Sequence, residues 1–142
     1  MPANEPKRLK YRKQFRGRTG GKAWRGSTLS FGDYGLQVVS PGRLTARQIE
    51  SARKAISHYT KRSGKIWILV FPQTPVTKRP PEVRMGKGKG PVDHYEAFVR
   101  TGKIIFELTG VTEDLAREAF TRASHKLPIP TRYLSKEGEV WT

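Results

Sequence analysis

The chain contains no cysteine, and that single absence closes several chemistries. Disulfide staples, a thiolate nucleophile and cysteine-ligated zinc are all ruled out. A reducing compartment is compatible with this usage. Long apolar runs are missing as well. Residues 1–13 hold no stretch that could serve as a signal core, and the longest apolar run, Ile66 to Phe71, is far below a spanning length. The sequence therefore reads as soluble and intracellular. Apolar residues are scarce in general, with 35% hydrophobic against the larger share usual in free-standing domains. The 142 residues suffice for one modest core, with length left over for a partner to order. Acids are the last shortage. Asp and Glu total 12 against 28 Lys and Arg, a net charge of +16. Such a chain repels itself and attracts polyanions, so nucleic acid is the first candidate partner and an anionic membrane surface the second.

Catalytic signatures are equally thin. Gly-Lys pairs begin at Gly21, Gly64, Gly86, Gly88 and Gly102, but none is followed by Ser or Thr or preceded by Gly at the spacing of a phosphate-binding nucleotide loop. His94-Tyr95-Glu96 echoes the H-x-E of zinc deaminases, yet the matching cysteines are absent. His58 and His125 fall on helical segments with no carboxylate or thiol at metal spacing. No nucleophile elbow and no paired carboxylates occur. The expectation is a protein without catalytic residues, metal or cofactor. An RNA-modifying or nucleolytic domain using His94 and Glu96 stays as the enzymatic alternative. A nonspecific basic nucleic-acid-binding protein is the other.

What the chain does contain is charge in a pattern. Residues 1–27 read as a basic extension without helical or strand periodicity, carrying Lys7, Arg8, Lys10, Arg12, Lys13, Arg16, Arg18, Lys22 and Arg25. Tyr11, Phe15 and Trp24 are interleaved with these cations. Rings are poor choices for a solvated tail but good ones for stacking on bases while cations neutralise phosphates. Thr28 to Ser40 predicts a short hairpin turning at Gly32-Asp33-Tyr34-Gly35, with Asp33 as turn chemistry rather than a catalytic acid.

Thr45 and Gln48 form a capping box ahead of a first helix, with Leu44 and Ile49 as a hydrophobic staple. Ile49, Ala52, Ile56 and Tyr59 recur on one face, and Gly64 ends the run. Arg47, Lys54 and Lys61, spaced by seven, line the opposite side. Lys65 to Phe71 reads as a buried strand, and a long proline-rich connection follows from Pro72 to Asp93. His94 to Arg100 and Lys103 to Thr109 predict a second hairpin across Thr101-Gly102. A second helix opens at Thr112, with Glu113 and Asp114 in its first turn and Arg122, His125 and Lys126 near its end. Leu115, Ala119, Phe120 and Ala123 supply its core face. Leu127-Pro128-Ile129-Pro130 breaks it, Thr131 to Leu134 predicts an edge strand, and 135–142 form a tail. The sum is an α+β class: two helices packed on a mostly antiparallel sheet over 28–134, with the extension 1–27 and a loop in 72–93 projecting.

Within that loop, Arg84-Met85-Gly86-Lys87-Gly88-Lys89-Gly90 is unusual. Alternating glycines remove side-chain bulk so that the backbone can approach a nucleic-acid strand, and Arg84, Lys87 and Lys89 supply countercharge. A bare flexible linker would more readily alternate glycine with serine.

This loop, K-R-S-G-K-I-W-I at Lys61 to Ile68 (which includes Arg62), F-G-D-Y-G at Phe31 to Gly35, and T-A-R-Q-I-E-x-A-R at Thr45 to Arg53 resemble bacterial-type large-subunit ribosomal protein sixteen, the universal L-sixteen family. Y-R-K-Q-F-R-G-R at Tyr11 to Arg18 and H-K-L-P-I at His125 to Ile129 are similar to it too, and the likeness runs in order from about Lys7 to Leu134. The resemblance implies a hammerhead-like α+β domain embedded in large-subunit ribosomal RNA, beside the sites holding aminoacyl- and peptidyl-transfer RNA. Arg84 to Gly90 match the family's loop that reaches toward bound transfer RNA. The basic segment from Lys7 to Arg25, Trp24 included, matches its RNA-threading arm. Further partners implied are neighbouring ribosomal proteins, with no membrane and no homo-oligomer. The implied location is the ribosome of a bacterial or organellar cytoplasm. Pro91 stands where the family commonly has Asn, and Leu69 where it has a basic residue.

Overall fold

The computed structural model describes residues 5–136. In chain order the elements are β1 (Tyr34–Val38), β2 (Gly42–Thr45), α1 (Ala46–Tyr59), β3 (Lys65–Ile68), β4 (Thr74–Thr77), β5 (Val92–Val99), β6 (Ile104–Thr109), α2 (Glu113–Ser124) and β7 (Thr131–Ser135). The strands form two sheets rather than one: a four-stranded sheet in the order β3-β6-β1-β7 and a three-stranded sheet in the order β2-β5-β4. Every strand pair is antiparallel. The class is α+β, as the patterning predicts.

Both helices start where local chemistry dictates. Thr45 Oγ1 accepts from the Gln48 N–H at 3.2 Å while Gln48 Oε1 accepts from the Thr45 N–H at 2.9 Å, a reciprocal capping box. Thr112 caps α2 through the Leu115 N–H, and Glu113 and Asp114 lie at the positive end of its dipole. The two helices pack together over the face of the larger sheet that carries Leu36, Phe106 and Leu108. Ile49, Ala52 and Ile56 from α1 and Ala116, Ala119, Phe120 and Ala123 from α2 complete that core. Leu115, expected in the core, is only half-buried, and Ala116 takes its place. Each fully buried Leu, Ile or Phe contributes about 1.5–3 kcal/mol by leaving water.

Several sequence expectations are corrected. Residues 28–33 are not the first strand of a hairpin. The backbone N–H groups of residues 30–32 go instead to the buried carboxylate of Glu107, and that of Asp33 to Leu108 O. Gly32 donates to its Oε1 at 2.7 Å, Phe31 at 2.8 Å and Ser30 at 3.2 Å. A segment so held covers the second face of the larger sheet and leaves β6 buried from both sides, with Phe31 stacked on Trp67 at 5.9 Å between ring centroids. Strand β3 is shorter than Lys65 to Phe71 and is an edge strand, half-buried or exposed along its length. The proline-rich connection contains a strand, β4, which carries Pro75 at a sheet edge where its missing N–H is harmless. The loop proper is thereby narrowed to residues 78–91.

The predicted second hairpin also separates. The turn forms, with Lys103 N–H donating to Arg100 O at 3.1 Å, but β5 and β6 diverge into different sheets. The edges of β5 are taken by β2 and β4, and those of β6 by β1 and β3, so no edge remains for the local pair. The edge strand at the chain's end is present as β7 and runs on to Ser135; Lys136 N–H then donates to Asp33 O at 2.9 Å. The rest of the expected tail, 137–142, lies outside the described residues, as do residues 1–4 of the extension.

Candidate nucleic-acid interface

The loop carrying Arg84 to Gly90 is the connection of the β4–β5 hairpin. Its base is closed by the Lys78 N–H donating to Pro91 O at 3.1 Å. Across it, the Arg79 guanidinium donates to the carbonyls of Gly86 and, at 3.5 Å, Arg84. Arg79 is a residue that sequence reasoning missed, because its role is to hold the loop from the opposite strand exit. Gly86, Lys87 and Gly88 have positive φ angles of 103°, 63° and 89°. Nothing lies within 4 Å of a Cβ placed at Gly86 or Gly88, so these glycines serve backbone conformation and open approach rather than internal packing. Arg84, Met85, Lys87 and Lys89 are exposed, Met85 to 94%.

The extension displays its side chains in the same way. Lys7, Arg8, Lys10, Tyr11, Arg12, Lys13, Arg16, Arg18, Lys22, Trp24 and Arg25 are all exposed, and Phe15 and Trp24 are 96% and 92% accessible. Rings left this bare cost hydration free energy and are suited to stacking on bases. Among the described residues, no cation of the extension or of 84–90 is paired with a carboxylate. The two segments meet: Lys13 Nζ donates to Lys89 O at 3.2 Å, and Lys89 Nζ donates to Gln14 O at 2.6 Å. Lys89 Nζ also lies 6.0 Å from the Phe15 ring centroid. The extension joins the fold earlier than residue 27, where Ala23 N–H donates to Thr101 O at 2.8 Å.

A third basic surface lies on the helices. Arg47, Lys54, Lys61 and Arg62 are exposed, as the seven-residue spacing implies for the first three. Arg53, Lys54, His58, Lys61 and Arg62, with Lys126 arriving from the end of α2, line an open concavity of about 1040 Å³. Lys126 enters this group only through helix–helix packing, which no local pattern in the sequence announces. The acids nearby serve the helices themselves: Glu50 takes Arg53 in a bidentate pair at 2.7 and 2.8 Å, which lowers the Glu50 pKa. The wall of the concavity is the C-terminal turn of α1. There the Arg62 N–H donates to Ser57 O at 2.9 Å and the Lys61 N–H to His58 O at 3.3 Å, the bonding of a Schellman motif. That motif usually places glycine in the left-handed position. Here Lys61 occupies that position at φ 54°, and Arg62 after it is left-handed too at φ 64°, at a cost of about 1 kcal/mol or more each. Gly64, which follows at φ 76°, is held by packing, since a Cβ there would meet Thr109 O at 2.2 Å.

His94 and Glu96 come together, but as a structural network. His94 Nδ1 lies 2.7 Å from Asp93 Oδ2 and its Nε2 lies 2.8 Å from Glu96 Oε2. Glu96 also faces Arg43 Nε at 3.6 Å. Burial works to lower the His94 pKa, but the hydrogen bonds and charges of Glu96 and Asp93 outweigh it and raise the pKa above the usual histidine value. Arg43 lies on β2 and the others at or on β5, so the network ties the strand that carries the loop to its neighbour. Among the described residues no group of His, Asp and Glu is arranged to hold a metal ion, and no helix is long and apolar enough to cross a membrane.

A compact α+β body with bare cations and rings on its projections defines a class of protein built to meet a polyanion over a broad surface. Residues 6–134 match the family model of ribosomal protein L16p/L10e, and the chain belongs to that family. It is 59% identical over 132 residues to the large ribosomal subunit protein uL16 of Bartonella bacilliformis, an alignment covering 93% of this chain and 96% of the relative. The protein of the same name from a Sulfurihydrogenibium species is 59% identical over the same shares, and that of Francisella tularensis subsp. holarctica 54% identical over 133 residues, 94% and 97% of the two chains. The chain is thus a ribosomal protein and not an enzyme.

Proposed function

We propose that this protein is a structural constituent of the large ribosomal subunit. It binds large-subunit ribosomal RNA through the extension Lys7 to Arg25 and the exposed cations of α1, and it contacts transfer RNA through Arg84 to Gly90. The observation that carries this reading is the loop itself. Gly86, Lys87 and Gly88 hold consecutive positive-φ conformations, with open space beside both glycines, and Arg84, Lys87 and Lys89 form no ion pair among the described residues. Such a surface is complementary to a phosphate backbone that comes from outside the chain. The meeting of Lys13, Gln14 and Phe15 with Lys89 supports a single continuous surface, in which the RNA-bound extension sets the position of the loop. The chain acts as one copy among neighbouring ribosomal proteins.

Ribosomes assembled with a variant lacking residues 84–90 test the division of labour. Transfer RNA affinity is expected to fall while the protein still incorporates into large subunits. Unchanged transfer RNA affinity would remove the loop from that role. Equal affinity of the isolated protein for duplex DNA and for large-subunit RNA would show instead that charge alone drives binding.

A further inference from the structure

Of the cations in residues 78–91, Lys78, Arg84, Lys87 and Lys89 are exposed, and Arg79 alone is half-buried. Its guanidinium turns inward across the loop, where a single nitrogen, Nη1, donates to the carbonyls of both Gly86 and, at 3.5 Å, Arg84. Gly90, just ahead of β5, makes room for the stem of that side chain. A Cβ at Gly90 would stand 2.9 Å from Arg79 Cγ and 3.6 Å from its Nε. The φ of Gly90 lies outside the left-handed region that Gly86 and Gly88 occupy, so its missing side chain serves this contact and not the backbone. Among the described residues, only Arg79 and Lys13 hydrogen-bond to the backbone of residues 84–90, and Lys13 comes from the extension and takes Lys89 O. Within the hairpin, the shape of the loop hangs on one side chain.

Residues 84–90 include three glycines, and such a segment has many conformations open to it. Ordering them only when a ligand arrives would subtract from affinity, whereas a loop already held in shape avoids that loss. We propose that Arg79 is a positioning residue for the loop: it gives its donors to the loop's own carbonyls, keeps Arg84, Lys87 and Lys89 displayed in advance, and makes no phosphate contact itself. Gly90 is the notch that admits its stem. The benefit to binding rests on the reading of Arg84 to Gly90 as a transfer RNA contact; the hold of Arg79 on the loop does not.

Two readouts separate positioning from contact. In the free full-length protein, trypsin cleavage after Arg84 and Lys87, followed site by site by mass spectrometry, is expected to quicken several-fold in Arg79→Ala, because an unheld loop enters the protease more readily. In ribosomes assembled with that variant, transfer RNA affinity is expected to fall roughly fivefold to tenfold, while its slope against monovalent salt stays at the wild-type value. Lys87→Ala, at a phosphate contact, should instead lower the slope by about 0.7 to 0.9. Gly90→Ala removes no cation but displaces the Arg79 stem, so it should reproduce both effects of Arg79→Ala. The double variant Arg79→Ala/Gly90→Ala should then bind no more weakly than Arg79→Ala alone. A slope reduced in Arg79→Ala as it is in Lys87→Ala would overturn the assignment and make Arg79 one more phosphate contact. Unchanged cleavage would show that the loop keeps its shape without Arg79, and additive losses in the double variant would remove Gly90 from the device. Wild-type transfer RNA affinity in Arg79→Ala would overturn the positioning role where deletion of residues 84–90 still weakens binding. Where that deletion has no effect either, the reading of the loop as a transfer RNA contact falls, and the cleavage rates alone decide whether Arg79 holds it.

Discussion

Each of the two sheets buries one glutamate, and the two are satisfied by opposite means. Glu107, on β6 of the four-stranded sheet, is fully buried and accepts backbone N–H groups from Ser30, Phe31 and Gly32. Glu96, on β5 of the three-stranded sheet, gives one oxygen to His94 and faces Arg43 with the other, which has no hydrogen-bond partner although it is buried. Backbone amides are always present and never titrate; a histidine does not offer that constancy, and the half-exposed Arg43 reaches Glu96 only at 3.6 Å. The acid of the larger sheet is therefore held by donors that keep their protons, and that of the smaller sheet, which carries the loop, by a network that includes a titratable imidazole. Rigid body and responsive arm follow from where the acids are spent.

The largest expected effect separates the two glutamates. Glu107→Ala leaves the Gly32 N–H buried without an acceptor and frees residues 30–32 from the sheet, and should destabilise the protein by about 3 kcal/mol. Glu96→Ala, which removes an incompletely satisfied group near the surface, should cost about 1 kcal/mol. Glu107→Gln sharpens the contrast. Oε1 accepts from Phe31 and Gly32 and shares Ser30 with Oε2 at 3.2 Å, so glutamine should recover much of the loss. Denaturant unfolding of the three variants decides this, and equal losses for the two alanine variants would erase the distinction between the sheets.

The next effect is on binding rather than on stability. Lys87→Ala/Lys89→Ala changes exposed side chains, of which Lys89 touches only the exposed extension at Gln14 and Phe15, so unfolding should shift by no more than about 0.5 kcal/mol. The slope of RNA affinity against salt should fall by about 1.4 to 1.8 for the two lost contacts. A stability loss of the size seen for Glu107→Ala would mean that the loop belongs to the body after all.

How much of this was legible depends on how local the determining interaction is. Helix α1 could be read to the residue at its start because Thr45 and Gln48 are three apart and settle the cap between themselves. The class, both helices, β7 and the unusual loop were legible on similar grounds. The split into two sheets was not, since it depends on which distant strands occupy the edges of β5 and β6. Strand β4 was hidden by Pro75, tolerated only because β4 is an edge. The hold of Glu107 on residues 30–32 spans more than seventy positions, and no period or motif announces it. At the candidate interface, the cations of the extension, the loop and α1 were read directly as charge. Arg79 and Lys126 were not, because what matters about them is the distant segment that each one faces.

The smallest effect concerns pH and belongs to the smaller sheet alone. Burial acts to lower the His94 pKa, but the carboxylates of Glu96 and Asp93 raise it overall, so the folded protein binds the imidazolium proton more tightly than the unfolded chain does. The contribution of a group with a raised pKa is fully present below its unfolded value, ordinarily near 6.5, and is lost as pH rises through its folded value. Stability should therefore decline modestly as pH climbs through that window, with solvent screening keeping the change small because the side chain is 37% exposed. His94→Gln should flatten the decline without altering the pH dependence that remains. Hydrogen exchange read strand by strand would place the change on β5 and its neighbours β2 and β4, leaving β1 and β6 unaffected. An equal response in both sheets would show that they unfold as one unit and that the loop shares the rigidity of the body. A response confined to the smaller sheet would show that the segment bearing Arg84 to Gly90 can soften while the amide-locked frame beneath it stays folded.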